Sequence, residues 1–142
     1  MEYDISRVEV WAGEVRDRRG ALTDMLKRVL DAGADLDFII GRPSPVKPGT
    51  GILYLAPLEG EQQLKAAQEV GLHPSSHIES LRVEGPYRQG LAEQITRTIA
   101  EAGINVSGFT GGRMGERCVV YIRFEHFEEL VKAQELLSAR LK

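Results

Sequence analysis

A chain of 142 residues with 42% hydrophobic content holds one average domain or two small ones, and that apolar share excludes general disorder. Its 18 basic and 21 acidic residues fall as 9 against 12 over 1–72 and 9 against 9 over 73–142, a formal net charge of -3, so neither half carries the basic field that nucleic-acid phosphates demand. The one cysteine excludes an internal disulfide framework or a cysteine-based zinc site, no apolar run nears the roughly 20 residues of a membrane helix, and Met1-Glu2-Tyr3-Asp4 lacks a signal-peptide pattern, so a cytoplasmic protein without membrane contact is expected.

In chain order, Val8-Glu9-Val10-Trp11-Ala12 alternates as a half-buried strand does, with Val8 and Val10 inward and Trp11 outward as an interface residue or part of the wall between copies. After a turn at 16–20, Leu22, Met25, Leu26, Val29 and Leu30 recur as one apolar helix face, and Gly33 suits a left-handed helix end. Leu36-Asp37-Phe38-Ile39-Ile40 is a second strand candidate, followed by a Pro/Gly-rich connection from Arg42 to Gly51. Gly41-Arg42-Pro43, Lys47-Pro48-Gly49-Thr50-Gly51 and the later Gly111-Gly112-Arg113 lack the spacing of a nucleotide-binding loop and read as turns. Ile52-Leu53-Tyr54-Leu55 reads as a third, buried strand, and a helix over Lys65-Ala66-Ala67-Gln68-Glu69 follows. His73, His77 and Glu79 would share a metal only on a helix, which Pro74 opposes, so no metal site is expected.

The remainder repeats this order. A shift of 70 pairs Gly20 with Gly90, Gly33 with Gly103 and Gly41 with Gly111; the third strands pair at 67 and the second helices at 66. Leu81-Arg82-Val83-Glu84 is the strand, Ala92, Ile95, Thr96, Ile99 and Ala100 the helix face, and Ile104-Asn105-Val106-Ser107-Gly108-Phe109 the second strand. Val119-Val120-Tyr121-Ile122 and a helix with Phe127, Leu130, Val131, Ala133 and Leu137 complete the copy, with His126 helping the turn before it. The fold class is therefore α+β: two tandem ferredoxin-like units of order βαββα(β), 1–72 and 73–142, each an antiparallel sheet with helices packed on one face. The fourth strand is short, shared or missing, with 1–7 and 71–77 as candidates to cover that edge. An uncovered edge favours pairing between copies, and a homodimer is expected.

These residues resemble the ACT family of regulatory domains, whose pattern is a strand, an Asp/Asn-basic-Pro-Gly turn, a helix and then Gly-Ile-Asn. Asp17-Arg18-Arg19-Gly20 matches the turn apart from Arg19 in the proline position, and Gly33-Ala34-Asp35 is a loose second motif. In the other copy Gly103-Ile104-Asn105-Val106 fits closely, while Tyr87-Arg88-Gln89-Gly90 has Tyr87 where an acid or amide is usual. The resemblance implies a non-catalytic, allosteric regulatory protein that binds a small effector, often an amino acid, between two such domains; without a catalytic domain its response passes to a separate target protein, or else its role is limited to binding and storage. No catalytic residue, cofactor or metal follows from it.

Physical reasoning supports the turn as a site. Unpaired N–H groups and the positive end of the helix dipole receive a carboxylate, a glycine admits it closely, and Asp17 accepts hydrogen bonds from an ammonium. The candidate residues are Asp17, Arg18, Arg19, Gly20, Ala21 and Leu22, and Tyr87, Arg88, Gln89, Gly90 and Leu91. Asn105, Val106 and Ser107, or Asp35, Leu36 and Asp37, would supply the facing wall. Asp17 marks the stronger site, and the Tyr87 site is expected to be altered or silent. The bland reading of Asp-x-x-Gly is an N-cap turn. A second functional reading is an assembly module with a decayed site; a third is an acylphosphatase-like hydrolase, because Gly85-Pro86-Tyr87-Arg88-Gln89-Gly90 resembles that family's loop, although no arginine follows the last glycine. Cys118, with no histidine placed to activate it, is expected to be an inert core thiol.

Overall fold

A computed structural model of the chain describes residues 2–75 and 80–141. His77 and Glu79, two of the three residues weighed above as metal ligands, lie outside the described residues.

Eight strands and four helices are described: β1 Asp4–Val8, β2 Trp11–Arg16, α1 Ala21–Asp31, β3 Phe38–Pro43, β4 Thr50–Ala56, α2 Gly60–Glu69, β5 His73–Pro74, β6 Ser80–Pro86, α3 Leu91–Glu101, β7 Gly108–Met114, β8 Arg117–Arg123 and α4 Phe127–Arg140. They form two compact units, each α+β with one four-stranded antiparallel sheet. The first unit spans 9–75 with strand order β3-β4-β2-β5, and the second spans 80–141 with strand order β1-β6-β8-β7, taking β1 from residues 2–8.

The units are thus not the consecutive segments 1–72 and 73–142. Asp4–Val8 pairs with the second unit's first strand in the register Asp4 to Glu84 and Val8 to Ser80. This supplies the fourth strand that the later half lacks, while the first unit's fourth strand is the two-residue β5, paired through Trp11 to Pro74 and Ala12 to His73. The apparent strand Val8–Ala12 is in fact the end of one strand and the start of another. Trp11 consequently points the opposite way from the expectation. It is 4% exposed and packs with Met25, Val29, Leu53 and Leu55 in the first unit's core, since the alternation of β2 is set by its pairing with β4 and not by Val8 and Val10.

The helix faces form as the periodicity implies, with buried Met25 and Val29 in α1 and buried Leu91, Ile95 and Ile99 in α3. Both helices end on a positive-φ glycine: Gly33 at 98° and Gly103 at 78°. The following residue reaches back five positions, Ala34 N–H to the Val29 carbonyl at 3.1 Å and Ile104 N–H to the Ile99 carbonyl at 3.3 Å, so orphan carbonyls of the last turn are satisfied. In the second unit Phe124, Leu130, Ala133, Leu137 and Leu141 close the helix side of the sheet over Leu81, Val83, Val120 and Ile122. Each of these side chains except that of Ala133 contributes about 1.5 to 3 kcal/mol on burial.

Tyr3 is 2% exposed and belongs to the second unit's core; its hydroxyl donates to the Pro86 carbonyl at 2.8 Å, and its ring lies where a Cβ on Gly85 would have to stand. Gly85 is thus the position that lets β1 carry an aromatic ring onto β6.

Candidate functional site

β2 and β6 each run into a short turn that leads to a glycine at the helix start. In the first unit the Asp17 N–H donates to the Gly49 carbonyl at 3.0 Å and the Ala21 N–H to the Arg18 carbonyl at 3.2 Å. In the second the Tyr87 N–H donates to the Glu116 carbonyl at 2.7 Å and the Leu91 N–H to the Arg88 carbonyl at 3.3 Å. Both turns are therefore laced to the hairpin that follows the helix. Gly20 and Gly90 occupy the N-cap positions at φ 86° and 87°, a conformation that costs other residues, and no side chain caps either helix. Asp17 stands three residues before that cap and does not cap the helix with its side chain, while Gly20 is itself the N-cap, so the bland reading of the turn as an N-cap region with a flexible glycine holds. A Cβ built on either glycine meets nothing within 4 Å, so the backbone there is open to close approach.

A hollow lies at each of these turns, of about 280 Å³ in the first unit and about 370 Å³ in the second. The strand registers make them equivalent: Val15 corresponds to Gly85, Asp17 to Tyr87, Leu22 to Ala92, Gly41 to Gly111, Pro43 to Arg113 and Gly51 to Cys118. One wall is the turn and helix start, and the other is the far end of the hairpin, Gly41–Pro43 with Thr50–Leu53 or Gly111–Arg113 with Cys118 and Val120.

The chemistry of the two hollows has diverged. In the first, Arg16, Arg18 and Arg42 line the space with Asp17; Arg18 is engaged by Asp24 at 3.3 Å, and Arg42 lies over the Tyr54 ring at 5.4 Å. In the second, Arg113 stacks on the Tyr87 ring with 3.7 Å to its centroid and donates to the Gly115 carbonyl at 2.9 Å. Arg88 lies 5.6 Å over the ring of Tyr3 and bonds to Gln94. The position that offers an acid in one unit is thus covered by a guanidinium in the other.

Cys118 is half-buried, packed against the second unit's core and in the wall of the second hollow, with its Sγ 3.9 Å from the Pro86 carbonyl. Burial raises its thiol pKa, the Glu84 carboxylate raises it further, and the Arg117 cation opposes them. The thiol form is favoured, which agrees with a slow nucleophile.

Of the expected site residues, Asp17, Arg18 and Leu22 line the first hollow, and Tyr87, Arg88, Gly90 and Leu91 the second. Gly20 forms the N-cap beside the first. Ala21 turns into the core at 6% exposure, while Arg19 and Gln89 are exposed and line neither hollow. Asn105, Val106 and Ser107 precede β7, at the opposite end of the sheet from their own unit's hollow: Val106 packs against the core, and Ser107 donates to the Arg123 carbonyl through its N–H and its hydroxyl. Asp35, Leu36 and Asp37 likewise precede β3. The hairpin walls were missed. Gly41-Arg42-Pro43 and Gly111-Gly112-Arg113 are strand residues and not turns, and their recurrence in both copies was the available signal.

Among the described residues no helix is long and apolar enough to cross a membrane, and no group of three or more His, Cys, Asp or Glu could hold a metal ion.

No model of a known protein family matches the chain, and no curated protein is similar to it in sequence. Solved structures do match. A protein from Bacteroides thetaiotaomicron superposes with a TM-score of 0.77 at 12% identity, over 96% of this chain and 90% of that one. The ligand-free regulatory subunit of aspartate kinase from Thermus thermophilus gives 0.65 at 16% identity, over 100% and 98%, and the regulatory subunit from Thermus flavus 0.56 at 18%, over 95% of both chains. The chain therefore shares the fold of these structures, two α+β units each with a four-stranded antiparallel sheet, which is the fold class that the sequence resemblance implied.

Proposed function

We propose that this protein is a non-catalytic regulatory protein that binds an amino acid at the hollow beside Asp17. The observation that carries the reading is the start of α1, which has no side-chain cap and stands beside a hollow of about 280 Å³ with Asp17 and Leu22 in its wall. The N–H groups and the helix dipole receive the ligand's α-carboxylate, and Asp17 accepts hydrogen bonds from its ammonium. A space near the lower end of the usual 300 to 1,000 Å³ range suits a ligand of that size. The resemblance to regulatory subunits of aspartate kinase supports a regulatory role over a catalytic one.

In this reading the chain acts in the cytoplasm as a homodimer, its effector is enclosed where a hollow of one copy meets a unit of another, and occupancy is relayed to a separate target protein. A thermal-shift screen against the twenty amino acids tests it. A ligand that binds only the folded state raises the melting temperature, by RT ln(1 + [L]/Kd) in free energy. A rise for one or a few amino acids is expected; no rise for any would favour an assembly module with a decayed site.

A further inference from the structure

Two wall positions differ in charge between the equivalent hollows, and both differ in the same sense. Where the first unit has Asp17 the second has Tyr87, and where the first has Pro43 the second has Arg113. The first hollow thus holds an acid at these positions and no cation, and the second a cation and no acid. An ammonium finds a counter-charge in the first; in the second it meets a guanidinium.

Arg113 is set to receive an anion. Phe109, Gly111 and Arg113 stand opposite Ile122, Val120 and Cys118, so they share the core side of the sheet, and the Arg113 side chain projects toward the helices. Its guanidinium is stacked on the Tyr87 ring at 3.7 Å to the centroid, and its Nε donates to the Gly115 carbonyl at 2.9 Å. These two contacts fix the plane of the group and occupy only the Nε–H, which leaves the terminal nitrogens as donors in the geometry that a carboxylate accepts.

The rest of the wall agrees with an anionic ligand. Arg88 enters it from the turn, lying over the Tyr3 ring at 5.6 Å. Glu93, the acid in this wall, is paired with Arg97 at 3.1 Å, whereas neither Arg88 nor Arg113 has an acid partner among the described residues. Cys118 adds no negative charge, because burial and the Glu84 carboxylate favour its thiol form. Gly90, Leu91 and Ala92 bring the start of α3 into the same wall, with no side-chain cap and with the positive end of the helix dipole. Phe109, Leu91 and Val120 supply apolar surface, and about 370 Å³ lies within the usual range of small-molecule sites.

We propose that the second hollow binds a small organic acid that lacks an ammonium group, a 2-oxo acid or a dicarboxylate. Its carboxylate is taken by the terminal nitrogens of Arg113, its second oxygen acceptor by Arg88, and its carbon chain by the apolar wall. The exchange that admits an amino acid beside Asp17 excludes one here, since no free acid meets the ammonium and two guanidiniums oppose it. The site is built within the second unit and does not depend on the reading of the Asp17 hollow.

Titration calorimetry of the full chain with pyruvate, 2-oxoglutarate and succinate tests this, with glutamate and inorganic phosphate as controls at matched ionic strength. At least one of the three organic acids is expected to bind at a single site. Arg113 is exposed, so Arg113→Gln is expected to keep the parent's circular dichroism while weakening that binding about tenfold or more. Asp17→Ala is expected to leave it unchanged. Failure of all three acids to bind, binding that Arg113→Gln leaves intact, or phosphate binding as tightly each overturns the site. The amino-acid screen on the same variants separates the two readings. An amino acid lost with Asp17→Ala but no organic acid bound sinks the second site alone, and an organic acid lost with Arg113→Gln but no amino acid bound sinks the effector reading alone.

Discussion

The guanidinium of Arg113 lies 3.7 Å from the centroid of the Tyr87 ring, and it closes in the second unit the position that Asp17 occupies in the first. Pro43 stands in the first unit where Arg113 stands in the second, so no side chain from that strand position can reach over Asp17 as a cation. Two hollows built on one backbone plan therefore present different chemistry: an acid beside an open helix start in one, and a cation stacked on an aromatic ring in the other.

Asp17 is consequently the residue whose loss separates binding from folding. Its backbone N–H holds the turn to Gly49, a bond that Asp17→Ala retains. Loss of a charge-assisted hydrogen bond of roughly 1.5 to 3 kcal/mol predicts a tenfold to hundredfold weaker Kd for the amino acid that binds the parent, by titration calorimetry, with the unliganded melting temperature nearly unchanged. Unchanged affinity would remove Asp17 from the site.

Tyr3 measures the weight of the borrowed strand. It is buried at 2% exposure and bonded to the Pro86 carbonyl. Tyr3→Phe should cost about 1 kcal/mol from the lost hydrogen bond, and Tyr3→Ala roughly 3 to 5 kcal/mol, read from urea unfolding with a probe in the second unit. Equal and small losses in both variants would mean that β1 contributes little to that sheet.

Gly13 and Gly41 form a paired test of backbone approach. A Cβ on Gly13 would stand 2.7 Å from the Gly71 carbonyl oxygen and 2.9 Å from Leu72, whereas one on Gly41 meets nothing within 4 Å. Gly13→Ala is expected to destabilise by about 1 to 3 kcal/mol through overpacking, and Gly41→Ala to leave stability within about 0.5 kcal/mol. Thermal unfolding of the two variants side by side decides it.

Cys118 should react slowly with iodoacetamide near neutral pH and faster as pH rises. Its thiol pKa is raised by burial and by Glu84, so the thiolate population at a given pH is depressed relative to an ordinary cysteine. Glu84→Gln removes one of the raising causes and is expected to lower the thiol pKa, moving the rate profile to lower pH. A profile that stays put, or moves upward, would contradict the assigned cause.

The sequence by itself determined the repeat, the four helices, the glycine stops at Gly33 and Gly103 and the α+β class, because these depend on residues a few positions apart and on local backbone preference. It also marked the two turns at Asp17 and Tyr87. Tertiary structure alone decided that Asp4–Val8 belongs to the second unit, since strand pairing between residues about 80 positions apart leaves no periodic trace in either segment. The same pairing reversed Trp11: once β1 ends at Val8, the phase of β2 is set by its partner β4, and a one-residue change of phase moves a side chain to the other face. The hairpin walls of both hollows were hidden for a related reason. Gly41-Arg42-Pro43 and Gly111-Gly112-Arg113 have the composition of turns, and only the hydrogen bonds of β4 and β8 hold them extended against the helix starts.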